Sequence, residues 1–336
     1  MPAEIFAIPV FDKFLLYAPF HQLSALINHQ AHHDLTTHQA NTLPAPLHPL
    51  ADIYTPINIP SPSPTAPLVP FYLGIIPTRG CNIGCRYCDF AAPKHKSPMM
   101  TPEMAHEAVD AYLKLLKNAH IHAGQIHFFG GEPFLIPKFV QDVVEYATAR
   151  ADSYHIRLRY EATTNGIFSE SVCQWIGEKF DAVVLSLDGL PQDHDRHRPA
   201  LNGHGTFEMV AKNARILSDS PCELIVRACV TSESVARLPD FAQWIGDNLK
   251  PSIACFETLS VSPLAIEAGF TAPNPHDFAL YFDRATHILS RFDIQTVTSS
   301  ADLSQAHTSF CPVSKDALIV SPDGAVDACY LLESDW

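Results

Sequence analysis

The chain has 336 residues, 47% of them hydrophobic, and a formal net charge of −14 from 22 Lys and Arg against 36 Asp and Glu. This length and composition are sufficient for a sizeable core in one large domain or two smaller ones, and they indicate a globular protein. Because the charge is negative and no basic run occurs, phosphate backbones and anionic lipids are repelled, so we expect no nucleic-acid or membrane partner.

The N-terminal residues MPAEIFAIPVFDKF lack the basic region and apolar core of a signal peptide, and no segment reaches about 18 uninterrupted apolar residues. We therefore expect a soluble, cytoplasmic protein. The cysteine count of nine is odd, and three of the nine lie in one short segment, GCNIGCRYCDF. This pattern favours metal ligation over a disulfide framework.

The N-terminal part is predicted to be a small appendage, residues 1–42. Within it, residues 5–28 resemble two short strands around Asp12 and Lys13, followed by a helical stretch. Nine prolines then occur from Pro44 to Pro70. Since proline removes a backbone donor and disfavours helix in the residue before it, residues 43–70 are predicted to be an extended linker.

From Phe71 onward, strand-like and helical patterns alternate, which predicts a domain over residues 71–300. Strands are expected within residues 71–78, 124–131, 156–166, 182–189, 222–231 and 252–260, and the clearest helices within 101–119, 137–151, 232–248 and 276–292. Thr101 suits the N-cap of the first helix, and Pro102 its first position. Six βα units imply a parallel sheet with helices outside, in α/β class, as a partial (β/α)6 barrel.

Polar motifs follow the first four of these strands. The cysteine segment follows strand 1, GGEP ends strand 2, TTNG ends strand 3 and SLDG ends strand 4. Active sites of α/β barrels and sheets lie at the carboxyl ends of their strands. Turn-forming glycine explains any one of these motifs, but not easily four at the same end.

Cys81, Cys85 and Cys88 are separated by three and two residues. Structural zinc needs four ligands, and no second CxxC or HxxxH lies nearby. A [4Fe-4S] cluster usually takes four thiolates, so three would leave one iron open to a substrate or cofactor. The spacing also differs from that of plant-type ferredoxins.

CxxxCxxC after a strand, with Tyr87 before the last cysteine and the other strand-end motifs, resembles the radical S-adenosylmethionine (radical SAM) superfamily. The resemblance implies a [4Fe-4S] cluster on Cys81, Cys85 and Cys88, with S-adenosylmethionine (SAM) bound to the open iron. Reductive cleavage of SAM would give a 5′-deoxyadenosyl radical that abstracts hydrogen from a substrate.

The same resemblance implies contacts to SAM. They would come from Tyr87, from Gly130, Gly131, Glu132 and Pro133 of GGEP, from Asn165, from Ser186 and Asp188 of SLDG, from Arg198 on the SAM carboxylate, and from the backbone of Leu259.

Near the C-terminus, LIVSPDGAVDAC is predicted to form a hairpin that turns at Pro322, Asp323 and Gly324. After a radical SAM core it resembles the start of a SPASM or twitch extension, here residues 301–336. The resemblance implies an auxiliary [4Fe-4S] cluster with Cys311 and Cys329 as ligands. A complete extension has several more cysteines, so this one is interpreted as truncated or vestigial, and further thiols would have to contribute.

SPASM-type relatives modify peptides and proteins, as the anaerobic sulfatase maturases and ribosomal peptide maturases do. We therefore expect an enzyme that abstracts hydrogen from a peptide or protein, with electrons from a flavodoxin- or ferredoxin-type donor. The alternatives are radical SAM chemistry on a small molecule and a noncatalytic iron–sulfur protein with a redox or interaction role.

Overall fold

The computed structural model describes residues 5–57, 69–90, 98–299, 317–327, 329 and 330. They belong to two compact units, the first with residues 5–57 and the second with the other described residues. No described helix is long and apolar enough to cross a membrane.

The first unit is a three-stranded antiparallel sheet with a short helix. Its strands are β1 (Phe6–Val10), β2 (Lys13–Ala18) and β3 (Leu23–Ile27), in that order, followed by α1 (His29–Thr37). Leu16, Ala18 and Ile27 alternate with outward-facing residues and are buried with Leu35 of α1. The predicted helical stretch before residue 28 was therefore wrong, because the chain has the two-residue period of a third strand there.

The structure also corrects the beginning of the predicted linker. Residues Ala45–Tyr54 form a 3₁₀ helix, which accommodates Pro49. Leu47 and Ile53 of this helix are buried in the core of the first unit. Apolar burial outweighs the extended preference of the prolines here. Residues 58–68 of the predicted linker lie outside the described residues, and the domain limits stay a prediction.

The second unit has a nine-stranded sheet among its described residues, in the order β10-β9-β8-β7-β6-β5-β4-β11-β12. The strands are β4 (Tyr72–Ile75), β5 (Ala123–Phe128), β6 (Arg157–Thr164), β7 (Ala182–Ser186), β8 (Glu223–Val230), β9 (Ile253–Thr258), β10 (Gln295–Val297), β11 (Ala317–Val320) and β12 (Val326–Asp327). All neighbours pair in parallel except β11 and β12. The six predicted core strands are confirmed as β4–β9.

Helices connect the parallel strands. They are α2 (Pro102–Asn118), α3 (Pro137–Tyr154), α4 (Glu170–Lys179), α5 (Pro191–His197), α6 (Phe207–Ser218), α7 (Leu238–Asn248), α8 (Pro263–Glu267) and α9 (Pro275–Leu289). Shorter 3₁₀ helices are Pro19–His21, Ala40–Thr42, Pro133–Leu135, Val235–Arg237 and Ser290–Phe292. The predicted N-cap is present, since the Met104 amide donates to the Thr101 hydroxyl over 3.3 Å.

The main core lies between this sheet and its helices. Strand residues such as Ile126 and Phe128 pack with helix residues such as Val109 and Val140, all fully buried. At the edge of the sheet beyond β4, β11 and β12 form the predicted C-terminal hairpin, whose turn has Gly324 at φ +85°. Because β11 pairs with β4, the hairpin extends the core sheet.

Candidate active site

A cavity of about 510 Å³ opens at the carboxyl ends of the parallel strands. Its lining comes from residues of β5–β9, from the segments that follow β4–β7 and β9, and from Cys329 and Tyr330 after the C-terminal hairpin. Among the lining residues are Cys81, Tyr87, Cys85, Cys88, Gly130, Gly131, Glu132, Asn165, Ser186, Asp188 and Arg198. Eleven of the residues predicted to hold the catalytic cluster or SAM thus surround one space, although they are spread over more than a hundred positions of the sequence.

The cysteine loop is held against the segment that follows α5. The Gly84 amide donates to the carbonyl of Pro199 over 2.7 Å, and the Arg86 amide donates to the carbonyl of His197 over 3.0 Å. Ile83 and Ala200 form an isolated antiparallel bridge. These backbone contacts fix the cysteine loop beside Arg198.

GGEP packs on the residues immediately before the cysteine loop. The Gly131 amide donates to Thr78 and the Glu132 amide to Gly80, over 3.0 and 2.9 Å. A Cβ on Gly131 would lie 2.1 Å from the Gly80 carbonyl oxygen, and Gly130 has φ +133°. Only glycine at both positions permits this approach of two backbone segments.

The Glu132 carboxylate is buried and accepts three hydrogen bonds from the protein. The donors are the Phe134 amide, the Thr164 hydroxyl and the Asn165 amide, over 3.0, 2.8 and 2.8 Å. Burial raises the pKa of Glu132 to about 7, although the three donors lower it. This side chain therefore ties the end of β5 to the end of β6, a structural role that the sequence did not reveal.

Asn165 lies next to the first cysteine. Its amide nitrogen is 2.8 Å from Asn82 Oδ1 and 3.5 Å from Cys81 Sγ, while its oxygen accepts from the Ile167 amide. The Ser186 side chain lines the cavity on the neighbouring strand. Asn165 thus contacts the cysteine loop directly, in addition to facing the cavity.

Tyr87, Asp188 and Arg198 form a hydrogen-bonded chain. The Tyr87 hydroxyl donates to Asp188 and accepts from Arg198 Nη1 over 2.7 Å. The other Asp188 oxygen accepts from the Cys229 amide over 3.1 Å. Burial by itself would raise the pKa of Asp188, but Arg198 and His197 hold it well below its usual range, so this carboxyl is ionised.

One atom of the Arg198 side chain is not satisfied by any residue that the structure describes. Its side chain is 11% exposed, and its Nε is buried without a hydrogen-bond partner among the described residues. A buried, unsatisfied donor of this kind is suited to an anionic ligand oxygen. This atom supports the prediction that Arg198 holds a carboxylate.

Three thiols that line one cavity are a donor set that suits an iron–sulfur cluster. No three His, Cys, Asp or Glu side chains in the described part of the chain are grouped to hold one metal ion. Thiolates on different corners of a cube need not converge on one point. Burial raises the pKa of Cys81 to about 11 and that of Cys85 to about 12, so these thiols would have to lose their protons to hold a cluster.

Pro133 and Leu259 do not line the cavity. Pro133 is buried in the 3₁₀ helix that follows GGEP. Leu259 is buried in a small cluster with Ala265 and Phe270, and its amide donates to the Val230 carbonyl over 2.9 Å. Of the predicted auxiliary ligands, Cys329 lines the cavity, and Cys311 lies outside the described residues.

Other residues of the cavity wall were not predicted as site residues. His127, Phe129 and Tyr330 form an aromatic group, with Phe129 and Tyr330 ring centroids 4.6 Å apart. Burial lowers the pKa of His127 to about 4, so its imidazole is neutral. Arg227 and Glu257 on β8 and β9 also line the cavity. The signal for these two was a charge within an otherwise apolar strand.

The fold and the site define an α/β protein with a parallel, barrel-like sheet and a three-thiol loop at the carboxyl ends of its strands. Residues 75–245, half of the chain, match the model of the Radical SAM superfamily. The chain belongs to this superfamily, whose cofactors are a [4Fe-4S] cluster and SAM. The predicted family and fold class are thus confirmed.

Two curated proteins illustrate the similarity. An uncharacterized protein of Methanocaldococcus jannaschii is 29% identical over 170 residues, 50% of this chain and 56% of that protein. The cysteine-type anaerobic sulfatase-maturating enzyme of Clostridium perfringens strain 13 is 27% identical over 159 residues, 46% of this chain and 42% of the enzyme. The chain spans about half the length of the curated relatives it matches.

Solved structures share the fold. Native anSMEcpe with bound AdoMet and Cp18Cys peptide superposes with a TM-score of 0.63 at 22% identity, over 79% of this chain and 76% of that one. Streptococcus suis SuiB bound to precursor peptide SuiA superposes with a TM-score of 0.56 at 15% identity, over 78% and 60%.

Proposed function

We propose that this chain is a radical SAM enzyme that cleaves SAM reductively and abstracts hydrogen from a peptide or protein. The observation that carries this function is the shared cavity, which is lined by three cysteines, a glycine pair and Arg198, whose Nε has no hydrogen-bond partner among the described residues. A redox sensor would need the thiols but no pocket for SAM.

Cys81, Cys85 and Cys88 would hold the cluster and leave one iron open. When bound there, the cluster supplies an electron to SAM and so generates the 5′-deoxyadenosyl radical. The protein contributes position and exclusion of water. Because a primary alkyl radical reacts with the first C–H bond it meets, the cavity has to place the substrate and shield it from solvent.

Arg198 would bind the SAM carboxylate, and Tyr87 and Asp188 would hold the guanidinium in place for it. The hydrogen bond from Arg198 to Tyr87 uses Nη1 and leaves Nε for the ligand. A guanidinium that is already oriented loses less rotational freedom when it binds. Gly130 and Gly131, which line the cavity, would offer backbone carbonyl oxygens to the SAM ammonium.

The relatives support a peptide or protein substrate. Their names include anaerobic sulfatase-maturating enzymes, and solved structures of the same fold contain a Cp18Cys peptide or the precursor peptide SuiA. A flavodoxin- or ferredoxin-type protein would supply electrons, and the cytoplasm is the compartment we expect.

The sheet of the first unit would recognise part of the substrate. Among the described residues β1 pairs only with β2, and its Phe6 and Ile8 are 49% and 43% exposed. An extended leader peptide could add to this edge by backbone hydrogen bonding. Removal of residues 1–57 should weaken binding of a precursor peptide, and undiminished binding would exclude this role.

Anaerobic reconstitution with iron and sulfide, followed by dithionite and SAM, tests the proposed chemistry. We expect 5′-deoxyadenosine and methionine in equal amounts. A fully loaded cluster that yields no 5′-deoxyadenosine would favour the noncatalytic alternative. Co-expression with a candidate peptide encoded nearby, followed by mass spectrometry, would then separate peptide modification from small-molecule chemistry.

A further inference from the structure

Arg227 is a charged side chain in the middle of a core strand. In β8, Leu224, Val226, Ala228 and Val230 are buried in the main core, on the side of the helices. Arg227 alternates with them and lines the cavity. A strand covered on both faces usually has an apolar residue at such a position, so the charge calls for an explanation.

The guanidinium of Arg227 is not engaged by the part of the chain that the structure describes. It makes no hydrogen bond or ion pair with any residue that the structure describes. Its backbone, in contrast, is fixed by pairing with Ser186 on β7 and Cys255 on β9, and its carbonyl accepts from the Leu187 amide over 2.9 Å. The side chain is therefore available for binding and starts from a rigid element.

Glu257, the acidic residue on the neighbouring strand, is committed elsewhere. Its Oε1 accepts from the Ser299 amide over 2.8 Å and from the Cys255 thiol over 3.0 Å. No oxygen of Glu257 lies within 4.0 Å of an Arg227 nitrogen. Two opposite charges therefore lie on adjacent strands of one cavity without pairing.

The remaining acidic groups of the cavity do not pair with Arg227 either. Asp188 accepts from Tyr87 and from the Cys229 amide, and Glu132 accepts its three hydrogen bonds from the ends of β5 and β6. Asp89 also lines the cavity and makes no ion pair with Arg227. Each acid is thus held by other groups or lies too far away.

We propose that Arg227 binds a carboxylate of the substrate, so that the peptide segment in the cavity carries an acidic side chain or a free C-terminus beside the reacting residue. This inference rests on the proposed function, because it assigns the occupant of the same cavity. Arg198 takes the carboxylate of SAM, and Arg227 takes that of the substrate.

The physical argument is one of desolvation. When a substrate fills the cavity, it removes water from the guanidinium, and an unpaired buried charge is strongly unfavourable. A neutral substrate group at this position would leave Arg227 uncompensated. A carboxylate forms two parallel charge-assisted hydrogen bonds with the planar guanidinium, so it is selected over its amide counterpart.

Matched peptides test this selection on the full chain, reconstituted and saturated with SAM. The probes are N-acetyl-Ala-Asp-Ala-amide, the same peptide with Asn in place of Asp, and N-acetyl-Ala-Ala-Ala with a free carboxyl terminus. Dissociation constants come from ligand-observed NMR. We expect the Asp peptide to bind about 10- to 100-fold more tightly than the Asn peptide. Tight binding of the third peptide instead would identify a C-terminal carboxylate as the source.

Substitutions at Arg227 then locate the selectivity. Arg227→Gln should abolish the preference for the acidic peptide. Arg227→Lys should retain part of it, because lysine keeps the positive charge but lacks the paired N–H donors of the planar guanidinium. Arg157→Gln is the matched control. Arg157 is an exposed arginine at the start of β6, outside the cavity lining, so the preference should persist.

Two results would overturn the inference. One is that neither the Asp peptide nor the peptide with a free carboxyl terminus binds the unmodified protein more tightly than the Asn peptide does. The other is a tenfold or larger rise in KM for SAM in Arg227→Gln with the peptide preference intact, which would assign the guanidinium to SAM. Failure of the proposed function has a different signature, namely no 5′-deoxyadenosine from the unmodified protein while the carboxylate preference persists.

Discussion

Two arginines line the same cavity, but one is bonded to other residues of the protein and the other has no partner among the described residues. The Arg198 side chain is 11% exposed, bonded to Tyr87 and close to the ionised Asp188. Arg227 is exposed to the cavity and has no partner among the described residues. The difference indicates how the cavity is divided. A guanidinium held in advance suits SAM, which is the same in every turnover, whereas Arg227, without a described partner, is available for the substrate carboxylate that we propose.

The largest effect should follow from removing a cluster ligand. Cys88→Ala should reduce 5′-deoxyadenosine formation to background, because two thiols do not hold the cluster with one open iron. Iron content per chain and 5′-deoxyadenosine by chromatography measure the two consequences. Cys222→Ala is the control, since Cys222 is buried in the main core away from the cavity. Full iron content and activity in Cys88→Ala would refute the assignment.

Removing the held guanidinium should have the next largest effect. Arg198→Gln loses the charge and the free Nε, so KM for SAM should rise by about 10- to 100-fold, the range expected for charge-assisted hydrogen bonds. Initial rates of 5′-deoxyadenosine formation at varied SAM check this. If Arg227→Gln raised KM for SAM more than Arg198→Gln did, the roles of the two arginines would be reversed.

Glu132→Gln should lower the stability of the protein, because Glu132 links the ends of β5 and β6 beside the predicted SAM site. At pH 8, above the pKa of about 7, the carboxylate accepts from three donors, whereas an amide presents an NH₂ group to one of them. We expect the free energy of unfolding to fall by about 1–3 kcal/mol, the cost of a buried unsatisfied group. Urea unfolding measures it, with the exposed Glu178→Gln on α4 as control. An unchanged midpoint would show that the three hydrogen bonds contribute nothing.

The smallest effect is expected at Tyr87. Tyr87→Phe keeps the ring but removes the hydroxyl that links Arg198 to Asp188. Arg198 then loses one restraint but keeps its charge, so KM for SAM should rise by about 3- to 10-fold, equivalent to about 1 kcal/mol for one hydrogen bond. The ratio of this effect to that of Arg198→Gln measures how much of the arginine's contribution depends on being held in advance. No change in KM would mean that the tyrosine is only a packing residue.

Much of the core fold was predictable from sequence, because it depends on local patterns. The strands β4–β9 are short apolar runs between helical segments, and the hairpin turn has Pro322, Asp323 and Gly324 in order. The first unit was predicted less well. The short strand β3 has little helix-breaking sequence around it, and the prolines of Ala45–Tyr54 favoured an extended chain until tertiary burial of Leu47 and Ile53 decided otherwise.

The sequence by itself determined the family. The spacing of Cys81, Cys85 and Cys88 and the motifs at the strand ends are local patterns that can be recognised without knowledge of the fold. Only the tertiary structure decided which polar residues are already satisfied. The Glu132 carboxylate accepts hydrogen bonds at the ends of two strands, whereas Arg198 keeps one unsatisfied nitrogen and Arg227 has no partner among the residues that the structure describes. The physical reason is that hydrogen bonds and desolvation depend on neighbours in space, which parallel strands bring together from distant parts of the chain.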